Sequence, residues 1–160
     1  AYVLDMISTY LSDGKTSKLY KKMVDEQKQA LQIGAFNLGQ EDYGMYLIFG
    51  LPVGENTLET LNTEIEEEIA AVRNGLIAEK DFQKIQNKFE NDFVNANSSV
   101  EGIAGSLATY YMLYGDTSLI NKQIDIYRSI TREEIQQVAQ QYLQTNQRVV
   151  IDYLPQSAKQ

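Results

Sequence analysis

The 160-residue sequence contains no cysteine, no histidine and no tryptophan. Without cysteine and histidine the chain cannot form disulfides, and it lacks thiolate nucleophiles, imidazole bases and the usual protein ligands of zinc. Its two prolines and ten glycines are too few for a linker or a low-complexity protein. The absence of cysteine does not fix a compartment, so the cytoplasm and the bacterial periplasm are both compatible with the sequence.

Positive charge is also scarce, because 14 lysines and arginines stand against 22 aspartates and glutamates and leave a net charge of -8. This balance opposes binding to nucleic acid, which requires a basic surface, and adsorption to anionic lipid. No apolar run reaches the roughly 18 residues of a membrane span, and no signal peptide is visible. The length and the ordinary apolar content predict one folded domain.

Two helices are predicted at the start of the chain. Apolar residues recur at helical spacing over residues 2–12 and again over residues 17–27. Between them, Asp13-Gly14 is a turn pair, since glycine accepts a positive φ without a Cβ clash. The start of the chain therefore reads as two helices joined by a tight corner.

A β-hairpin is predicted next. Residues 29–38 and 43–53 each show a period of two, and the polar break Glu41-Asp42 separates them. The second segment is apolar on both faces, which indicates a central strand or a strand that lines a binding surface. We expect the hairpin to lie nearest to a substrate or partner. The residues singled out for that contact are Tyr43, Met45, Tyr46 and Ile48.

The remainder of the chain is predicted to be mainly helical. Apolar stripes at helical spacing lie within residues 58–74, 82–93, 100–115, 119–129 and 131–142. Residues 147–154 are rich in β-branched side chains and predict a last strand. Helices that follow a hairpin, with a late returning strand, predict the α+β class. The expected architecture is a two-layer sandwich with helices packed on one face of an antiparallel or mixed sheet.

Carboxylates and tyrosines offer alternative sites. The four glutamates of residues 64–68 could bind a hard cation, but they alternate with core positions, and a solvated helix face is the preferred interpretation. An independent carboxylate enzyme would need two carboxylates at a defined separation in a cleft, whereas Asp13 and Glu41-Asp42 have simple turn roles. The tyrosine-rich residues 110–114 are compatible with a partly buried core or with an interface.

The corner between the first two helices resembles a known family. An apolar helix ends in Leu11-x-x-Gly14, the motif Ser17-x-Leu19-Tyr20 follows, and two strands come next. This order is similar to the C-terminal, non-catalytic ("inactive") domain of the pitrilysin/insulinase-type zinc metallopeptidases, the inverzincins, and covers nearly the whole chain. Because the sequence begins abruptly inside a helical pattern, we expect residues 1–160 to be a single excised domain that lacks its first strands.

The resemblance implies that zinc and peptide binding are divided between domains. The family's catalytic domain holds zinc with H-x-x-E-H and a distant glutamate, and the zinc activates water for peptide hydrolysis. Without histidine, this chain is expected to contain no metal site, no cofactor and no catalytic residue. Zinc is expected in a partner catalytic domain of the same chain or of another subunit, in a homo- or heterodimer. The expected function is to help enclose and position a peptide substrate against that domain.

In some family members this domain also lends an arginine and a tyrosine to the active site. The matching positions here are Met23 and Ala30, whose side chains cannot donate a hydrogen bond to a tetrahedral intermediate. Either another domain or subunit supplies the pair, or the parent protein is a non-proteolytic homologue. The alternative function is therefore a structural core or assembly subunit, and an independent enzyme ranks below both.

The isolated 160-residue chain should bind no zinc and cleave no peptide, because it contains neither histidine nor cysteine. Metal analysis after purification and a peptide-hydrolysis assay check this. Stoichiometric, tightly bound zinc would overturn the assignment. An H-x-x-E-H motif is expected upstream or in a neighbouring open reading frame, and its absence from both would favour the structural subunit.

Overall fold

The computed structural model describes residues 1–39 and 43–154, in which helices pack against a β-hairpin. The predicted turn at Glu41-Asp42 lies outside the described residues. The elements in chain order are α1 (Tyr2–Ser12), a π-helix (Tyr20–Glu26), β1 (Ala30–Gly39), β2 (Gly44–Pro52), α2 (Leu58–Asn74), α3 (Glu79–Ala96), α4 (Val100–Tyr114), α5 (Ile120–Ser129) and α6 (Arg132–Tyr142). Helices pack on one face of an antiparallel sheet, which confirms the α+β class.

The corner after α1 forms as the sequence predicts. Gly14 has a φ of 79°, and the Ser17 hydroxyl donates a hydrogen bond of 2.7 Å to the Gly14 carbonyl. The following helix differs from the prediction, because its hydrogen bonds skip one more residue than those of an α-helix. The Gln27 amide donates to the carbonyl of Lys22 at 2.9 Å, which gives a π-helix.

The two strands of the hairpin pair in antiparallel fashion, and their side chains form two rows, one on each face of the sheet. Ile33 and Ala35 are buried, and a Cβ added to Gly50, opposite Ile33, would contact Leu61 of α2. This row is therefore the inner face of the sheet, against the helices. The other row of β1 and β2 forms the outer face.

Helix α1 occupies the centre of the core. Met6, Ile7 and Leu11 have no exposed surface. Beside them, the Ser12 hydroxyl accepts a hydrogen bond from the Ala35 amide at 2.7 Å and donates one to the Ala35 carbonyl at 3.0 Å. This reciprocal pair fixes the end of α1 against β1. The other elements contribute these buried residues to the core: Leu19, Met23, Leu61, Ile69, Val72, Ile77, Phe82, Ile85, Tyr127, Ile130, Ile135 and Ala139.

Helix caps agree with the sequence at α6 and differ at α2. The sequence Thr131-Arg132-Glu133-Glu134 predicts a capping box at the start of α6, and the structure contains it, since Thr131 and Glu134 bond to each other's backbone amides. At α2 an asparagine followed three residues later by a glutamate predicts Asn56 as the N-cap. The N-cap is instead Thr57, whose hydroxyl accepts from the Thr60 amide at 3.1 Å. The Asn56 amide group is engaged elsewhere, because it donates to the Val53 carbonyl.

The predicted strand over residues 147–154 is wrong in this structure. Thr145–Gln147 forms a 3₁₀ turn, and residues 148–154 form no ladder with β1 or β2. β-branched composition supplies a preference for extended backbone, but a strand also needs a neighbour to receive its hydrogen bonds. In the described residues the hairpin is the whole sheet.

The glutamates of α2 are less solvated than the sequence predicts. The Lys22 ammonium lies 2.7 Å from Glu64 and 3.1 Å from both Glu67 and Glu68. Burial by itself lowers the pKa of Lys22, but hydrogen bonds to the three carboxylates outweigh it and raise that pKa overall. Glu66 pairs instead with Arg73. The run of glutamates therefore joins the π-helix to α2 through one lysine.

Replacing Lys22 by Met should lower the free energy of unfolding by about 2 kcal/mol, because it leaves partly buried carboxylates without a counter-charge. The control is Lys21→Met, whose side chain is 63% exposed and whose loss should cost less than about 0.5 kcal/mol. Urea unfolding near pH 7 measures both.

The same pair of variants has an expected pH dependence. Because the pKa of Lys22 is raised in the folded state, its stabilisation is fully present below its ordinary pKa of 10.5 and is lost as pH rises through the folded value. The deficit of Lys22→Met should therefore be constant between neutral pH and pH 10. Equal losses in the two lysine variants would show that the network contributes nothing specific.

Candidate functional site

The outer face of the hairpin is an apolar surface that the described helices leave uncovered. We call it the outer hairpin face. Its members are Phe36, Leu38, Met45, Leu47, Phe49 and Leu51. Met45 and Leu51 are about half exposed, and Leu38 and Phe49 are also exposed. A contiguous apolar surface of this kind on a folded domain is a candidate site of interaction.

A glycine shapes the centre of the outer hairpin face. Gly34 lies opposite Phe49, and a Cβ added at Gly34 would come within 2.3 Å of the Phe49 ring. The ring therefore lies across β1 in space that only glycine leaves free. There it approaches Phe36, with ring centroids 6.0 Å apart at an angle of 58°. The result is a ridge of two aromatic rings bordered by aliphatic side chains.

The pleat of β2 separates the four residues that the sequence singled out. Met45 lies on the outer hairpin face, and Tyr43, which is 84% exposed, precedes β2. Tyr46 and Ile48 lie on the inner face and pack against the core. Successive side chains of a strand point to opposite faces of the sheet, so any consecutive set of residues is divided between the two faces. Sequence reasoning missed Phe36 and Phe49, which the period-two pattern together with the correct hairpin register would have identified.

A polar cluster between α1, β1 and α5 is the second candidate. The Asp5 carboxylate accepts a hydrogen bond of 2.9 Å from the Asn37 amide, and the Tyr127 hydroxyl lies 3.5 Å away. Burial raises the pKa of Asp5, and the hydrogen bonds from Asn37 and Tyr127 oppose that shift. Burial likewise raises the pKa of Tyr46 beside Ser8. With one carboxylate, the cluster lacks the pair that glycosidase-type acid–base catalysis requires, and its contacts join three elements of the core.

The remaining positions that the sequence analysis considered are the acidic side chains and the pair Met23 and Ala30. Within residues 1–39 and 43–154, no group of three or more acidic side chains is placed to hold a metal ion. Met23 and Ala30 are both buried in the core, so neither side chain lies on the surface of the described domain. None of the helices described combines the length and the apolar character that a bilayer crossing demands.

Comparison with protein families decides the classification. The model of the peptidase M16 inactive domain matches residues 1–89, more than half of the chain. The chain belongs to this family. The matched part of this M16 inactive domain contains α1, the corner, the whole hairpin and α2. The resemblance to zinc metallopeptidases that the corner and the hairpin indicated is therefore confirmed.

Relatives of this M16 inactive domain are longer proteins. The chain is 24% identical over 155 residues to the zinc protease PqqE of Helicobacter pylori. The match covers 95% of this chain but 34% of that protein. The crystal structure of a protease from Helicobacter pylori superposes with a TM-score of 0.83 at 24% identity, over 91% of this chain and 35% of the other. The chain thus spans about a third of the length of these relatives.

A domain-sized structure shares the fold more completely. The inactive peptidase domain of a putative zinc protease from Bordetella parapertussis superposes with a TM-score of 0.79 at 19% identity, and the match covers 99% of this chain and 86% of that one. At these identities the superpositions show a common fold. They place the hairpin and the helices of this M16 inactive domain in a known architecture.

Asp5→Asn should make the protein more stable at neutral pH. The pKa of Asp5 is raised from 3.8 in the folded state, so its favourable contribution is present below pH 3.8 and is lost as pH rises through the folded value. Asparagine still accepts from Asn37 and carries no charge. The advantage of the variant should grow between pH 4 and pH 7 in urea unfolding experiments.

Asp125→Asn is the matched control, since the Asp125 side chain is 73% exposed on α5 and its loss should change stability little at any of these pH values. A variant at Asp5 that is less stable than the unmodified protein at pH 7 would show that the charge is stabilising where it lies.

Proposed function

We propose that this chain is the non-catalytic domain of a zinc metalloprotease, and that it helps to enclose and position a peptide substrate against a separate zinc-bearing domain. The observation that carries the proposal is the outer hairpin face, an apolar surface without a charged side chain inside the region that matches the family. Peptide-binding surfaces are commonly apolar with a few polar contacts.

The composition of this surface suits an extended peptide. Met45 is flexible and polarisable and can adapt to different side chains, while Phe36 and Phe49 offer rigid aromatic area. Within the described residues the hairpin is two-stranded, so β2 also has backbone groups along one edge that are able to receive a peptide strand. Alternate side chains of such a peptide would meet the outer hairpin face.

The chemistry of hydrolysis would come from the partner domain. The relative PqqE is named a zinc protease, whereas this sequence lacks histidine and cysteine, the usual ligands of zinc. The match covers 34% of PqqE, so most of that protein lies outside it. When bound, zinc would activate water and polarise the peptide carbonyl. The residues of this chain would hold the peptide and exclude water around it.

A structural or assembly subunit is the second candidate function. It is favoured by the burial of Met23 and Ala30, which removes any contribution to transition-state stabilisation from those positions. It is also favoured by α4, which has one charged residue, Glu101, and no buried residue. An apolar helix with this exposure is typical of a surface that another domain or subunit covers.

Phe49→Lys in the intact protein, with its zinc domain, tests the first proposal. A charge on the outer hairpin face should disfavour an apolar peptide and lower kcat/KM for peptide cleavage by at least about tenfold, chiefly through KM. The control is Val94→Lys on α3, where the valine is 58% exposed and kcat/KM should stay within about twofold.

The two candidate functions give different outcomes. An intact protein that cleaves peptides equally well with Phe49→Lys and with Val94→Lys would exclude the outer hairpin face from substrate positioning. An intact protein that cleaves no peptide but loses a subunit or a domain contact when Phe49 is replaced would establish the structural role.

A further inference from the structure

We infer that Gly34 is a positioning residue of the outer hairpin face, and that it adapts this face to peptides with a large apolar side chain. This role rests on the proposed function, because it concerns the peptide that the face would hold. Gly34 acts through the ring of Phe49 rather than by touching the peptide. The missing side chain at position 34 decides where that ring lies on the sheet.

The backbone of β1 does not itself require a glycine at position 34. The φ of Gly34 lies outside the left-handed region, whereas Gly14, Gly54 and Gly115 have a positive φ. Glycine inside a strand weakens it, because the unfolded glycine has more backbone freedom to lose and the folded one has no side chain to pack. A residue that local preference opposes is expected where a neighbouring group or a function requires it.

The group that requires this space is the ring of Phe49. A Cβ built at Gly34 would lie 2.8 Å from Cζ and 3.2 Å from Cδ1 of that ring, and nearer still to Cε1. These atoms belong to the outer part of a side chain that is 38% exposed. With Gly34→Ala the ring can therefore move off β1 while the backbone of the hairpin stays in place.

The position of the ring decides how much of β2 is open to a ligand. Over β1 the ring forms a tilted pair with Phe36, with centroids 6.0 Å apart, a separation at which aromatic rings attract each other. Leu47 and Leu51 are the neighbours of Phe49 on the same face of β2. Because the ring leans towards β1, the surface between these two leucines is left to the peptide.

This surface suits one large apolar side chain of an extended peptide. Leu47, Phe49 and Leu51 have no charge and no hydrogen-bonding group, so a charged or polar side chain would lose its water without gaining a partner. A phenylalanine of the peptide would contact the Phe49 ring and the leucines, whereas an alanine is too short to bury a comparable area. The ring displaced by Gly34→Ala would occupy the same space.

Cleavage of two peptides by the intact protein, with its zinc domain, tests this role. The first is a fluorogenic decapeptide of alanine and serine with one phenylalanine, placed where cleavage is fastest, and in the second an alanine replaces that phenylalanine. Gly34→Ala should lower kcat/KM for the phenylalanine peptide by about tenfold, chiefly through KM, and for the alanine peptide by less than about twofold.

A double variant separates an action through the ring from an effect on β1 itself. Phe49→Leu removes the ring and should by itself lower the ratio of kcat/KM for the two peptides. Adding Gly34→Ala to Phe49→Leu should then change the ratio no further. The matched control is Gly75→Ala after α2, where φ is -151° and a Cβ would meet nothing closer than 3.6 Å. It should keep the ratio within about twofold.

Several outcomes would overturn the role of Gly34. Equal losses for the two peptides, a further fall of the ratio in the double variant, or a Gly34→Ala protein that does not fold would show that the glycine serves β1 itself. An unchanged ratio in Gly34→Ala would show that the position of the ring does not matter.

The proposed function is tested separately by Phe49→Lys. If that variant leaves kcat/KM unchanged, the proposed function fails and the role of Gly34 with it. If Phe49→Lys lowers kcat/KM while Gly34→Ala leaves the ratio of the two peptides unchanged, the outer hairpin face holds the peptide and only the role of Gly34 fails.

Discussion

The packing of α1 against the inner face of the hairpin is the contact on which the rest of the domain depends. Met6, Ile7 and Leu11 are completely buried, and each such side chain contributes about 2 kcal/mol through removal from water. The reciprocal hydrogen bonds between Ser12 and Ala35 fix the angle and register of α1 on β1. Helix α6 packs against α1, and the π-helix packs against β1.

This contact also decides which side of the hairpin is available for function. Because the inner row is occupied by α1 and α2, the apolar side chains of the opposite row have no cover among the described helices. Gly34 then leaves the space over β1 that the Phe49 ring occupies. The same geometry takes Tyr46 and Ile48 out of reach of any ligand on the outer side.

Much of the fold could be predicted because its signals are local. The Gly14 turn, the Thr131–Glu134 capping box and the period of two in the hairpin each depend on residues close in sequence. The sequence predicted a helix over residues 17–27 but not its π-helical hydrogen bonds, and the contacts of Lys22 with α2 join residues far apart in the chain, which no local pattern reveals. The last strand was mistaken because residues 148–154 have the propensity of a strand without a neighbour among the described residues.

The sequence by itself determined the family resemblance and the absence of a conventional zinc site, because residue types and short motifs can be read without coordinates. It also determined the α+β class, since helical and strand periods follow from how each local backbone exposes its side chains. Only the tertiary structure decided which face of the hairpin is open, that Met23 and Ala30 are buried, and that Lys22 gathers three glutamates. These features join residues far apart in the chain, and their positions follow from packing rather than from local preference.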